Sequence, residues 1–226
     1  MLDENNIPFP DIKRNMQELE VINNLLGGHS ITIKGFKKCV GAKKNVSVCE
    51  IGCGGGDNLK AIHQYAENNG LTVTMIGIDI KKDCIDYARE NCRSVKNVEW
   101  ICADYKNAKL ENSPDIIFSS LFCHHFTDEG VQEVFQWMID NAQLGFFMND
   151  LHRHPMAYYS IKILTGLFSG SYLVKNDAPI SVLRGFHKHE LLHQVKNASA
   201  KNEQWLYELK WQWAFRWLLT AIKKKH

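Results

Sequence analysis

The sequence predicts an α/β fold, a doubly wound and mostly parallel seven-stranded sheet with helices on both faces. Three observations carry that expectation. Short β-branched runs alternate with amphipathic runs from residue 46 to residue 149. A glycine-rich turn, Gly52-Cys53-Gly54-Gly55-Gly56, follows the first of those strands. The alternation then stops, and the chain ends in two aromatic, β-rich stretches that suit an antiparallel C-terminal hairpin. Strands alternating with helices imply parallel βαβ units, whose ligands sit beyond the carboxyl ends of the strands.

The elements follow in order. Residues 1–10 are polar with Pro8 and Pro10, and a mobile or loosely docked segment is expected. Asp11 caps an expected helix to about Leu26, with Ile12, Met16, Leu19, Ile22, Leu25 and Leu26 at 3–4 spacing before Gly27-Gly28. A second helix is expected over Ser30–Val40. The core alternates as strand Val46–Ile51, helix Asn58–Asn69, strand Thr72–Ile80, helix Lys81–Arg93, strand Val98–Ala103 and strand Asp115–Ser120. Helix Thr127–Asn141 follows, with Thr127 as N-cap and two acids in the first turn, then strand Leu144–Asn149. Pro155 suits the first turn of a helix to about Phe168, with Met156, Tyr159, Ile163 and Leu167 marking one apolar face and Leu164 beside it. Residues Tyr172 to Phe186, with Pro179, read as a loop, and Lys188–Asn197 as a helix. Gln204–Trp213 and Ala214–Ile222 read as the closing hairpin, and Lys223–His226 as a solvated basic tail. One domain, 1–226, is expected: a helical cap at 1–42, a ligand-binding core at 43–150, a helical insert at 151–200 and the hairpin at 201–226.

Composition excludes several classes. Twenty-seven Lys+Arg against twenty-five Asp+Glu leave a net charge of +2, without the basic excess of a nucleic-acid binder. Seven scattered Cys without C-x-x-C pairing suggest reduced thiols and a cytoplasmic protein, with no zinc site. No signal peptide is indicated, and no apolar run approaches the roughly 18 residues of a membrane span. A monomer or homodimer is expected.

The first strand and its turn set the chemistry. Glycines there allow positive φ and a close ligand approach. A dinucleotide fingerprint G-x-G-x-x-G counted from Gly52 requires glycine at position 57, where Asp57 stands. A carboxylate there repels a pyrophosphate but not a sulfonium bearing an α-amino group, and Glu50 adds a second negative charge. The pattern Glu50-x-Gly52-x-Gly54-x-Gly56 resembles motif I of the class I S-adenosylmethionine (SAM)-dependent methyltransferases. The resemblance implies a Rossmann-like fold with SAM as cofactor and S-adenosylhomocysteine (SAH) as product. Glu50, Gly52, Cys53, Gly54, Gly56 and Asp57 would then hold the amino-acid end of the cofactor.

The other strand ends fall in register with the same family. Asp79, 27 residues beyond Gly52, looks like the acid of motif II that accepts from the ribose hydroxyls, with Ile80 packing on the adenine. Asp104 is similar to the residue that accepts from the adenine amino group, and Tyr105 suits stacking on the ring. Ser119-Ser120-Leu121-Phe122-Cys123-His124-His125-Phe126 resembles motif IV of small-molecule methyltransferases, in which Ser120 and Leu121 contact the cofactor through backbone. His125 is the stronger base candidate of the His pair there, and His124 reads as structural.

After the fifth strand come Asp150, His152, Arg153 and His154. A His near pKa 6.5 is a suitable general base for a hydroxyl nucleophile, and His125, His152 and His154 are the candidates. The imidazole-rich set His124, His125, Asp150, His152 and His154 does not match the carboxylate-rich sites that hold hard divalent ions, and no metal is expected. Met156 and Tyr159 on the insert, with Arg153 and Arg184, are the candidate acceptor contacts. The expected function is methyl transfer from SAM to a small hydrophobic or aromatic acceptor, most simply at a hydroxyl oxygen. The alternatives are a non-catalytic SAM-binding partner subunit and, disfavoured by Asp57, an NAD-dependent oxidoreductase.

Overall fold

The computed structural model describes residues 9–199 and 204–224. The expected loose N-terminus therefore lies largely outside the described residues, as do the last two residues of the expected basic tail, whose first, Lys223, ends the last strand. Seven strands form one sheet: β1 (Asn45–Ile51), β2 (Thr72–Asp79), β3 (Val98–Cys102), β4 (Ile116–Ser120), β5 (Gly145–Leu151), β6 (Trp205–Gln212) and β7 (Arg216–Lys223). Their order is β3-β2-β1-β4-β5-β7-β6, with β7 antiparallel to β5 and to β6 and all other pairs parallel. The strand order switches between β1 and β4, which places the ligand crevice above their carboxyl ends. This is the doubly wound sheet with a closing hairpin that the sequence predicts.

Period-2 alternation sends neighbouring side chains to opposite faces, and the strands are apolar on both. Val48, Ile116, Phe118, Phe147 and Leu218 pack under α2 (Gly28–Val40) and α3 (Asp57–Asn68). Cys49, Ile117, Phe146, Met148 and Leu219 pack on the other face against α5 (Asp128–Asn141) and α8 (Lys188–Ser199). Phe118 and Phe147 stack at 4.7 Å between centroids, which locks β4 to β5. The Thr127 hydroxyl accepts from the Gly130 N–H at 3.3 Å, the expected cap of α5.

Two regions depart from expectation. The first is the segment expected as a loop, which forms helix α7 (Tyr172–Arg184) with Pro179 inside it. Interior proline costs a helix about 3 kcal/mol. Here the Ser171 hydroxyl caps the start, and Leu173, Val174, Pro179 and Val182 are buried. Tertiary burial overrides the local signal.

The second is the facing of α6 (Pro155–Phe168). Its most apolar stripe, Met156, Tyr159, Ile163 and Leu167, points outward, each residue being at least 62% exposed. The small residues Ala157 and Thr165 are buried instead, which allows close approach to the neighbouring elements. Helix α1 (Phe9–Leu25) is clasped to this insert through Glu18, whose carboxylate accepts from the Ser169 hydroxyl and from the Gly170 and Ser171 N–H groups. Those bonds, set against the cost of burial, hold the Glu18 pKa below its usual value.

Candidate functional site

Two adjoining cavities open at the strand switch. The smaller, about 160 Å³, lies over the turn between β1 and α3, and the larger, about 340 Å³, lies between α1, α6, α7 and the β6–β7 turn. Leu19 and Leu121 line both and mark the boundary. Leu121 holds φ at +53°, uncommon for a non-glycine residue, and its N–H donates to the Asn149 carbonyl at 2.9 Å.

The glycine-rich turn shapes the smaller cavity. Gly52 has φ +66°, and a Cβ there would meet the Phe122 ring at 2.1 Å, so no other residue fits. Gly54 has φ +50° with open space on its side-chain face, which leaves room for a ligand. Cys53 is pinned by its N–H to the Ile78 carbonyl at 3.0 Å, and the Gly56 N–H donates to the Cys53 carbonyl at 2.9 Å.

Glu50 is buried beneath this turn at 1% exposure. One carboxylate oxygen accepts from Asn58 Nδ2 at 3.0 Å, while Oε2 is buried with no partner. Burial, and then the nearby Asp57 charge, push the Glu50 pKa well up. An orphaned carboxylate oxygen on a cavity wall is what a cationic α-amino group requires. The residues present therefore fit SAM.

Asp57 opens α3, and its Oδ2 pairs with His29 Nε2 at 2.6 Å and accepts from Asn23 Nδ2 at 3.1 Å. The first two helices are thereby tied to the motif. A polar relay missed by sequence reasoning continues from Asn58 to Thr32 at 2.9 Å and from Asn149 to Thr32 at 3.4 Å. No local pattern marks Thr32 or Asn149.

Asp79 closes β2. Its two oxygens accept from the Gly54 N–H at 3.0 Å and the Lys81 N–H at 2.9 Å. Burial raises its pKa and those two bonds oppose the rise. Asp79 thus orders the turn while remaining at the strand end where a ribose would lie. Ile80 is 67% exposed beside it, an uncovered apolar side chain. Asp104 caps a short 3-10 turn by accepting from the Lys106 N–H at 3.0 Å.

Tyr105 is a correction. Its ring is buried and packs edge-on against Trp137 at 5.5 Å, Phe122 at 6.2 Å and Phe126 at 6.5 Å. It belongs to the core below the site and presents no free face for stacking. Ser120 is buried on the wall of the smaller cavity beside Leu121.

The larger cavity redistributes the histidines. His124 and His125 both line it, with rings 4.3 Å apart. His124, expected as structural, is 3% exposed at its side chain, and its Nδ1 lies 2.7 Å from Asp150 Oδ1. Asp150 is fully buried and also accepts from the Leu151 N–H at 2.8 Å and the His124 N–H at 3.3 Å. Burial would raise the Asp150 pKa, but the His124 charge and hydrogen bond bring it below the usual carboxylate value. Asp150 is therefore ionised and acceptor-only, so His124 Nδ1 is the donor of the pair, and in the neutral ring the Nε2 lone pair is the one that remains.

His152 and His154 do not line this cavity. His152 Nδ1 accepts from Trp211 Nε1 at 3.2 Å, and its ring packs 5.0 Å from Trp217. Burial, then His154 and His187, lower its pKa. His154 caps α6, its Nδ1 accepting from the Met156 N–H at 3.2 Å, and its ring stacks on Phe215 at 5.4 Å. Arg153 is committed to the Gly185 carbonyl at 2.9 Å and to Glu190 at 3.1 Å. Met156 and Tyr159 face outward, and Ala157, Ser160, Ile161 and Leu164 form the α6 wall instead. Of the four expected acceptor contacts only Arg184 lines the cavity. Among the described residues no three His, Cys, Asp or Glu side chains converge as a metal site. No helix of the described residues is long and apolar enough to cross a membrane.

The strand order and the Gly52–Gly56 turn build a Rossmann-like α/β sheet with its ligand crevice at the switch between β1 and β4, and the smaller cavity there suits SAM. Residues 48–143 match a family model described as a methyltransferase domain. A malonyl-[acyl-carrier protein] O-methyltransferase of Acetivibrio thermocellus is 28% identical over 107 residues, which span 46% of this chain and 36% of that protein. Among solved structures, the plantazolicin methyltransferase BpumL in complex with SAH and a monoazolic analogue superposes with a TM-score of 0.70 at 16% identity, covering 94% of this chain and 90% of that one. The magnesium protoporphyrin IX methyltransferase of Synechocystis PCC 6803 with bound SAM gives 0.58 at 13% identity, covering 88% and 80%.

Proposed function

We propose that this chain transfers a methyl group from SAM to an oxygen of a small acceptor held in the larger cavity. The observation that carries the reading is the His124–Asp150 pair on the wall next to Leu121, where the two cavities meet. When bound, SAM supplies an activated methyl on a sulfonium. Glu50 would take its amino group, Asp79 its ribose, and Asp104 and Ile80 its adenine end.

The protein's own task is alignment and proton removal. Leu121 and Leu19 set the passage between donor and acceptor. His124 Nε2 would accept the acceptor's hydroxyl proton, which frees that oxygen to take the methyl group that bound SAM would supply. Asp150 fixes the ring and stabilises the imidazolium that results. His125, exposed on the same turn, is the second candidate on the wall. The name of the Acetivibrio relative, an O-methyltransferase, supports oxygen as the nucleophile.

Calorimetric titration with SAH and with NAD tests the donor. SAH binding with no NAD binding is expected, and the reverse would overturn the reading. A screen of small hydroxylated acceptors for a one-methyl mass gain tests catalysis. No gain with any acceptor by a protein that binds SAH would favour the non-catalytic partner subunit.

A further inference from the structure

One cation on the wall of the larger cavity has no role in the chemistry above. Arg216 opens β7, in register with Leu151, one residue past Asp150. It lines the larger cavity, is only 3% exposed, and its Nη1 is buried without a hydrogen-bond partner. A guanidinium carries five donors, and leaving those of Nη1 unmet in the interior is costly.

The carboxylates that act on it electrostatically are Asp150 and Asp57. Both are engaged elsewhere: Asp150 with His124 and the Leu151 N–H, Asp57 with His29 and Asn23. Burial lowers the Arg216 pKa to about 10, which still leaves it cationic at neutral pH. A second orphan lies on the same wall. Asn15 of α1 is 1% exposed, and both its amide nitrogen and its amide oxygen are buried without partners. The smaller cavity includes neither residue in its lining.

We propose that the acceptor is a hydroxylated carboxylic acid whose carboxylate is held by Arg216, with Asn15 as an auxiliary donor. The inference rests on the methyl-transfer reading and names the acceptor class for that site. A planar guanidinium fork matches a carboxylate with two parallel N–H···O bonds, and the enclosed wall favours a negatively charged partner over a neutral one. The carboxylate so held is neutralised by the pair. The methyl-accepting oxygen is then a separate hydroxyl on the same molecule, presented to His124. A carboxylate on the methyl donor has the same chemistry, but Arg216 stands on the acceptor side of Leu121.

The test uses the full chain saturated with SAH. Matched acid and amide probes, 4-hydroxybenzoate with 4-hydroxybenzamide, salicylate with salicylamide and mandelate with mandelamide, are titrated calorimetrically. At least one acid is expected to bind about tenfold or more tightly than its amide. In Arg216→Met that preference is expected to collapse to within about twofold while SAH affinity is unchanged. No acid preference in any pair overturns the proposal, and that wild-type comparison stands even if Arg216→Met does not fold. Loss of SAH affinity in Arg216→Met with the acid preference intact also overturns it, and assigns the guanidinium to the cofactor's carboxylate. A wild-type protein that fails to bind SAH overturns the methyl-donor reading itself, a result distinct from either.

Discussion

The two cavities meet at Leu121 but are built in opposite ways. The smaller is centred on residues close in sequence: Glu50, Gly52–Gly55, Asp57 and Asn58 come from one strand–turn–helix unit, and Glu20 and Asn23 of α1 with Tyr87 and Ser120 close its sides. The larger takes its wall from α1, the turn after β4, α6, α7 and the head of β7, segments up to about 200 residues apart in the chain. The local unit presents backbone and a fixed charge pattern, which suits an invariant ligand. The composite wall is set by packing of helices whose facing can change, which suits a variable one. The lesson is that the donor half is a property of a motif, and the acceptor half is a property of the assembly.

Substitutions at the two halves should separate cleanly. The largest effect is expected at the composite wall: His124→Ala should lower turnover by about 10²–10⁴-fold with SAH affinity within about twofold. Asp150→Asn should follow it, because the neutral amide no longer holds the proton on Nδ1. Equal turnover in His124→Ala and wild type, measured on an acceptor found in the screen, would remove the pair and promote His125. Next, Asp79→Ala should weaken SAH by about 100-fold, since it removes the proposed ribose contact and the bond that orders Gly54. Retained SAH affinity would break the assignment of the donor half.

Glu50→Gln should weaken SAH by about tenfold yet stabilise the ligand-free protein. The sign follows from linkage. The folded pKa of Glu50 lies well above its unfolded value of about 4.3, so the folded state binds the proton more tightly. Stability from this group is full below about pH 4.3 and falls as pH rises towards the folded pKa. The amide removes that loss, so the melting temperature of Glu50→Gln should exceed wild type at pH 7 and the gap should close in acid. A lower melting temperature at pH 7 would contradict the orphaned Oε2.

His152→Ala should leave turnover within about twofold, as the ring lies off the cavity wall and serves Trp211 and Trp217. A large fall in turnover would draw the composite wall wider than the structure does. The smallest effect is expected at Tyr105→Phe. Its hydroxyl is buried without a partner, so its removal should raise stability by about 1 kcal/mol, or about 2–4 °C in melting temperature, with SAH affinity unchanged. Weakened SAH would place the ring against the adenine after all.

The sequence by itself determined the sheet, its hairpin and the donor loop. Those features are local: period-2 apolar runs, glycines at positive φ and acids just after strand ends depend on neighbours within a few residues. Even there Tyr105 misled, because an aromatic after a strand end suits a ligand and a core equally well until Phe122, Phe126 and Trp137 are in place around it. Only the tertiary structure decided the acceptor side. Pro179 and the apolar stripe of α6 gave the expected local signals and packing reversed both. His124 and His125 are adjacent in sequence, and what sets them apart is Asp150, 26 residues on, which crosses from β5 to bind one ring. Arg216 is likewise an ordinary hairpin residue until β7 folds back beside Leu151 and carries its charge into the cavity wall. Burial and pairing are long-range quantities, and no pattern in a single stretch of chain encodes them.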